Sequence, residues 1–277
     1  MTHTGITKVA QEYYNSDDAD NFYFQVWGGE DIHVGLYRSD DEPIRDASRR
    51  TVQAMAEKVS WTPDTRLLDI GAGYGGAARF LTQTYNLQQV VALNLSETQN
   101  QRNRSMNEES GLADRIRVVD AAFESIPEAD AEYDVVWCQD SILHSGRKAQ
   151  VLQEVFRVLR PGGDFIFTDP MQSDDCPSGV LGPVLARIHL EEMGSFQLYR
   201  RLAKELGLVE VSVEDHSHQL PRHYARVKRV LEENETKLSA TCRPEYLANM
   251  KAGLQHWVDA GHAGHLAWGI LHFRKPT

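Results

Sequence analysis

The chain has 277 residues, enough for one substantial core, with 29 Lys and Arg against 40 Asp and Glu for a net charge of −11. That acidic balance disfavours nucleic acid and anionic membranes as partners. Three cysteines without C-x-x-C spacing, no apolar run of ~20 residues and no basic–apolar leader predict a cytoplasmic protein with reduced thiols, while a monomer and a small homo-oligomer both stay open. The first 45 residues precede any strand signal. They hold six aromatics within fifteen residues: Tyr13, Tyr14, Phe22, Tyr23, Phe24 and Trp27. Such density reads equally as packing or as rings that cover a cationic ligand, each ring contributing roughly 0.5–2 kcal/mol of cation–π attraction.

From residue 46 onwards the pattern is α/β. Leu67-Leu68-Asp69-Ile70-Gly71-Ala72-Gly73-Tyr74-Gly75-Gly76 predicts a strand, a glycine turn and the start of a helix. Gly71, Gly73 and Gly76 satisfy G-x-G-x-x-G, so a dinucleotide site is one reading. A second strand, Gln89–Leu93, ends at Asn94, where an NAD site wants an acid. A third ends Val118-Val119-Asp120-Ala121-Ala122-Phe123, and a fourth runs Tyr133 to Gln139-Asp140. A helix then leads through Leu159-Arg160-Pro161-Gly162-Gly163 into the strand Asp164–Thr168. Strands alternating with helices imply a parallel sheet covered on both faces.

Further on, Ser195 caps a helix that Gly207 stops, and Leu208–Val213 alternates as a strand. The last strand is expected over Leu266–Phe273. Between these two lies a long insertion, about 219–262. Tyr224, Val227, Leu231 and Leu238 recur at helical spacing, and so do Leu247, Met250, Leu254 and Trp257, in a helix opened by Pro244 and closed by Gly261. Ligands of open α/β sheets bind at the carboxyl ends of the strands, so a helical insertion there forms a lid.

The order of acid-led glycine turn, polar residue after strand two, acid after strand three and Leu-x-Pro-Gly-Gly step resembles the class I S-adenosylmethionine-dependent methyltransferases. The resemblance implies a Rossmann-like doubly wound sheet of about seven strands, the last antiparallel. It also implies S-adenosylmethionine as donor, with S-adenosylhomocysteine as its product. On the donor side it implies Asp69, Gly71 and Gly73 for the methionine part and Asn94 for the ribose. Leu95 and Phe123 face the adenine, Asp120 and Ala121 meet its edge, and Trp27, Gln99 and Gln139 complete the site.

The match extends beyond that core. Phe22-Tyr23-Phe24-Gln25-Val26-Trp27-Gly28-Gly29-Glu30-Asp31-Ile32-His33 resembles the N-terminal signature of sarcosine/dimethylglycine N-methyltransferases. Similar matches are Gln139-Asp140-Ser141-Ile142-Leu143-His144-Ser145, Thr168-Asp169-Pro170-Met171, Leu220-Pro221-Arg222-His223-Tyr224 and Gly253-Leu254-Gln255-His256-Trp257. The family makes glycine betaine, an osmolyte, so the implied partner is a small amine carrying a carboxylate. Glycine and phosphoethanolamine methyltransferases are the rival acceptor classes, and an NAD-dependent dehydrogenase is the remote one. Residues 1–45 are then expected to cover donor and acceptor, and 46–277 to form the methyltransferase domain with its lid.

The chemistry sets two demands. An aliphatic ammonium with a pKa of ~10 is about 0.1% free base at pH 7, which adds roughly 4 kcal/mol to the barrier unless a base or desolvation intervenes. His144, just past strand four, is the candidate base, with Tyr14 or Tyr23 orienting it. The second demand is positioning, which in well-oriented systems supplies ~7–11 kcal/mol. A bidentate arginine suits the acceptor carboxylate, and Arg187 and Arg222 (with Arg226 near it) are candidates, while Met171, Tyr224 and Trp257 wall the pocket. No metal site is expected.

Overall fold

The computed structural model describes residues 15, 22, 23, 26, 27, 29–188, 190 and 192–277, with the side chain of Arg187 excepted. Tyr13, Tyr14 and Phe24 lie outside the described residues.

After α1 (Ile44–Ala56), β1 (Arg66–Ile70) runs into the glycine turn and α2 (Gly76–Tyr85). Then follow β2 (Gln89–Asn94), α3 (Glu97–Glu109), β3 (Ile116–Asp120), β4 (Tyr133–Gln139), a 3₁₀ turn (Ile142–His144), α4 (Lys148–Val158) and β5 (Leu159–Thr168). The sheet has the order β3-β2-β1-β4-β5-β9-β7, where β7 is Val209–Asp215 and β9 is Gly269–Arg274. The five strands β1–β5 pair in parallel, and β9 lies antiparallel between β5 and β7. The parallel, doubly wound part is what the alternation of strand and helix signals implied, and the one antiparallel strand is what the family resemblance implied.

Side chains alternate across a strand, and that period divides the core between two faces. Leu67, Val135, Trp137 and Ile166 pack with Val52, Met55, Ala78 and Leu81 of α1 and α2. Leu68, Val136, Cys138, Phe165 and Phe167 pack on the other face with Leu152 and Val155 of α4 and Tyr199 of α6 (Phe196–Glu205). Parallel strands must be covered on both sides, which explains their continuous apolar runs. Ser195 caps α6 as its position suggested, its Oγ accepting from the Leu198 N–H at 3.2 Å.

The insertion folds as α7 (Gln219–Glu233), α8 (Glu235–Leu238) and α9 (Pro244–His262). Leu220, Tyr224, Val227 and Leu231 of α7 meet Leu247, Met250, Leu254 and Trp257 of α9 in one cluster that also contains Phe22, Tyr23 and Trp27. Gly261 does not close α9. A Cβ there would stand 2.9 Å from the Pro221 ring, so this glycine lets the two helices approach, and the left-handed residue beyond the helix is Gly264, φ 76°. The expected last strand is also divided. β8 (Leu266–Ala267) pairs with β6 (Met171–Gln172), and Trp268 separates it from β9.

Candidate active site

The carboxyl ends of β1, β2 and β4 open into a cavity. Its floor is the glycine turn. Gly71, Gly73 and Gly75 all have positive φ (72°, 53° and 77°), a conformation that side chains strain to adopt. Their missing Cβ atoms make room for other parts of the protein. A Cβ on Gly71 would meet Ser141 at 2.4 Å, and one on Gly76 would meet Asp31 Oδ1 at 2.2 Å.

That second contact reveals how the segment 29–34 is held over the cavity. Glu30 Oε2 accepts from Arg79 Nε at 2.9 Å, and Arg49 forms ion pairs with Glu30 at 3.1 Å and Asp31 at 2.8 Å. Arg79 is itself buried in α2, where Asn103 and Asn107 of α3 accept from its Nη1 at 3.1 and 3.0 Å. Across the cavity, Asp140 at the end of β4 takes positive φ (50°). Its carboxylate accepts from the Val34 N–H at 2.6 Å and from Trp268 Nε1 at 2.8 Å. The overlying segment, the sheet and the C-terminal strand region therefore converge on one side chain.

The cavity is lined by Asp69, Gly71, Gly73, Asn94, Leu95, Gln99, Phe123 and Gln139 from the sequence reading, and by Asp31, Ala122, Glu124 and Asp140, which that reading did not assign. Asn94 Nδ2 donates to Gln99 Oε1 at 3.0 Å, fixing both amides at the end of β2. Gln139 accepts from Trp137 Nε1 at 3.0 Å through Oε1, while its Nε2 is buried without a hydrogen-bond partner. Burial, and then the charge of Asp31, push the Asp69 carboxyl up to about 8. Asp31 goes the other way: although burial raises it, His33, Arg49 and Arg79 hold it below the usual carboxylate range.

A second, inner-chamber cavity adjoins the first and is walled by Tyr23, Trp27, Tyr224 and Trp257 with Val34, Leu143, Pro170 and Ile188. Ile32, His33, Asp140 and His144 line both cavities and so form the junction between them. The Trp27 and Tyr224 rings are 6.1 Å apart and edge-on, and the Tyr224 and Trp257 rings are 4.6 Å apart. The indole Nε1 atoms of Trp27 and Trp257 are buried without a hydrogen-bond partner.

Several expected residues fall elsewhere. Trp27 walls the inner cavity rather than the outer one. The Asp120 carboxylate is taken by Arg104 and, at 2.8 Å, by Asn100 Nδ2, and the partly buried Ala121 does not line the cavity, which Ala122, Phe123 and Glu124 line instead. Met171 is fully buried on β6 in the core, and its neighbour Pro170 supplies the wall. Arg222 is held outward by an ion pair to Asp40 at 2.7 Å and a bond to the Tyr37 carbonyl at 3.3 Å. Arg226 likewise donates to the Glu42 carbonyl at 3.1 Å. Arg187 sits at the end of α5 (Gly182–Arg187), next to the wall residue Ile188. Among the described residues that line the inner cavity there is no arginine or lysine.

A buried carboxylate, paired amides and apolar faces around one cavity, joined to a small aromatic chamber, suit an S-adenosylmethionine-dependent methyltransferase. The methyltransferase-domain family profile matches residues 68–167. The chain is 56% identical over 269 residues to the sarcosine/dimethylglycine N-methyltransferase of Halorhodospira halochloris, covering 97% of this chain and 96% of that protein. It is 53% identical over 272 residues to the enzyme of the same name from Aphanothece halophytica, covering 98% of each. A crystal structure of a Galdieria sulphuraria protein described as a sarcosine dimethylglycine methyltransferase superimposes with a TM-score of 0.90 at 46% identity, covering 95% of this chain and 99% of that one. The chain belongs to the sarcosine/dimethylglycine N-methyltransferase family.

Proposed function

We infer that this protein methylates the amine nitrogen of sarcosine, dimethylglycine or both, with glycine betaine as the end product. The observation that carries the reading is the junction at His33, Asp140 and His144, where the cavity at the strand ends adjoins a small aromatic chamber. S-adenosylmethionine, bound in the outer cavity, supplies the methyl group. Asp69 and Asp31 receive its ammonium, Asn94 and Gln99 the ribose hydroxyls, and Leu95 and Phe123 the adenine faces. Residues 1–45 serve as the covering segment of the 46–277 domain, and 219–262 as its lid.

In the inner chamber Tyr23, Trp27, Tyr224 and Trp257 offer ring faces to an alkylated ammonium. The unpaired indole N–H groups of Trp27 and Trp257 are suited to the acceptor carboxylate. A buried polar group left without a partner costs about 1–3 kcal/mol, and a bound carboxylate removes that cost. Arg187 is the remaining arginine candidate for this role. His144, at the junction, takes the ammonium proton before transfer, and Tyr23 orients the acceptor against it.

The test is transfer from methyl-labelled donor to glycine, sarcosine and dimethylglycine, each supplied alone, with products followed by mass. Labelled product from sarcosine or dimethylglycine is expected. Donor binding with no transfer to either would overturn the acceptor assignment. A His144→Ala variant as active as the parent protein across pH 6–9 would remove His144 as the base.

A further inference from the structure

The 3₁₀ turn that presents His144 is held from behind by charged and polar side chains, of which Asp169, Tyr199 and Lys148 line neither cavity. Asp169, at the end of β5, is fully buried. Its Oδ1 accepts from the Leu143 N–H at 2.8 Å, and its Oδ2 accepts from the Tyr199 hydroxyl at 2.5 Å. From the start of α4, buried Lys148 Nζ donates to the Ser145 carbonyl at 2.8 Å and to the Leu143 carbonyl at 3.4 Å. Ser145 Oγ in turn donates to Glu124 Oε1 at 2.7 Å, and Glu124 is a wall residue of the outer cavity. Both backbone neighbours of His144 are thus tied down, each by a side chain from a different element.

An apolar cluster would fill this space at lower cost, since charges are desolvated at a penalty that pairing repays only with good geometry. Burial has pushed the Asp169 carboxyl up to about 7, against the opposing pull of Tyr199, Lys148 and the Leu143 N–H. Burial likewise lowers the Lys148 ammonium. What the arrangement supplies is direction. Tyr199 comes from α6 and its ring is locked edge-on against Phe167 at 5.1 Å, so the hydroxyl that reaches Asp169 is a fixed strut. Lys148 fixes the opposite side of the same turn.

We propose that Asp169, Tyr199 and Lys148 form a buried clamp whose task is to hold the 142–145 turn so that His144 faces the junction of the two cavities. They are positioning residues, and the inference rests on the reading of His144 as the base. It predicts an effect on catalysis without an effect on donor binding, because none of the three side chains lines the donor cavity.

The test uses Tyr199→Phe, which keeps the packed ring and removes only the hydroxyl, with Lys148→Met as the second variant should the first not fold. The His144 imidazole resonance is followed by ¹H–¹³C NMR and assigned by its loss in His144→Ala. It is expected to move in either clamp variant while those of exposed His256 and His262 stay fixed. kcat is expected to fall ~fivefold or more, a scale set by misalignment of a reacting group, with donor affinity within about twofold of the parent protein. A His144 resonance that does not move overturns the clamp. A resonance that moves with kcat unchanged upholds the clamp and instead removes His144 from the chemistry, so the two readings fail separately.

Discussion

Donor binding should be coupled to the loss of a proton from Asp69. Burial and the neighbouring Asp31 charge hold this carboxyl at about 8, so it is mostly protonated at neutral pH in the free protein. A donor ammonium beside it favours the ionised form. Binding below pH 8 must therefore expel the proton, and each pH unit below that value weakens the donor about tenfold. Between pH 6 and 7, below the range near 7.7–8.0 where an α-amino group itself titrates, affinity should rise roughly tenfold. Isothermal titration calorimetry in two buffers of different ionisation heat should find close to one proton released. Asp69→Asn should bind the donor more weakly at pH 7 and show little of this slope. A flat affinity between pH 6 and 7, or an equal slope in Asp69→Asn, would refute the reasoning.

Other predictions follow from the same geometry. Gly76 does not require positive φ, yet an alanine Cβ there would stand 2.2 Å from Asp31 Oδ1 and 2.7 Å from the Glu30 carbonyl. Gly76→Ala should displace the 30–31 segment and weaken donor binding by about tenfold or more with the circular dichroism unchanged, since core overpacking costs typically ~1–3 kcal/mol. Arg222→Ala should leave the acceptor KM within about twofold, because its guanidinium is engaged by Asp40 and lies off the chamber, and an exposed pair of this kind contributes only ~0–1 kcal/mol. Trp257→Phe removes one unpaired indole N–H and should weaken the acceptor about ten- to hundredfold in single-turnover titrations, the worth of one hydrogen bond to a charged group at ~1.5–3 kcal/mol. Asp69 has a folded-state pKa above its unfolded value, so its contribution to stability is full below about pH 4 and is lost as pH rises through about 8. Without ligand, Asp69→Asn should therefore lose less melting temperature than the parent protein between pH 6 and 9.

The sheet was legible because its signals are local. Alternation and apolar runs mark β1–β5, and the glycine turn requires three left-handed residues whose spacing survives in sequence. The junction was less legible because its contacts are long-range. Asp140 is 106 residues from Val34 and 128 from Trp268, and nothing within either local pattern marks the partnership. Arg222 fitted the chemistry of a carboxylate anchor, but its direction is set by Asp40 and Tyr37, more than 180 residues earlier. Asp120 was read as a cavity residue because it ends β3. Arg104 and Asn100 of α3 claim its carboxylate, and the chain reaches the cavity two residues later at Ala122. Met171 reversed sides for a similar reason: pairing of β6 with β8 turns its side chain into the core and leaves Pro170 on the chamber wall. In the aromatic N-terminal segment Phe22, Tyr23 and Trp27 join the α7–α9 cluster, and Tyr23 and Trp27 also line the chamber.

The proposed chemistry needs two joined cavities with transfer across His33, Asp140 and His144. A crystal structure with S-adenosylhomocysteine and dimethylglycine bound together tests it directly. The predicted result is the nucleoside in the outer cavity between Asn94, Leu95 and Phe123, with the acceptor among Trp27, Tyr224 and Trp257 and its nitrogen directed at the sulfur past His144. Dimethylglycine bound outside the aromatic chamber, or a nucleoside seated in the inner cavity, would contradict it.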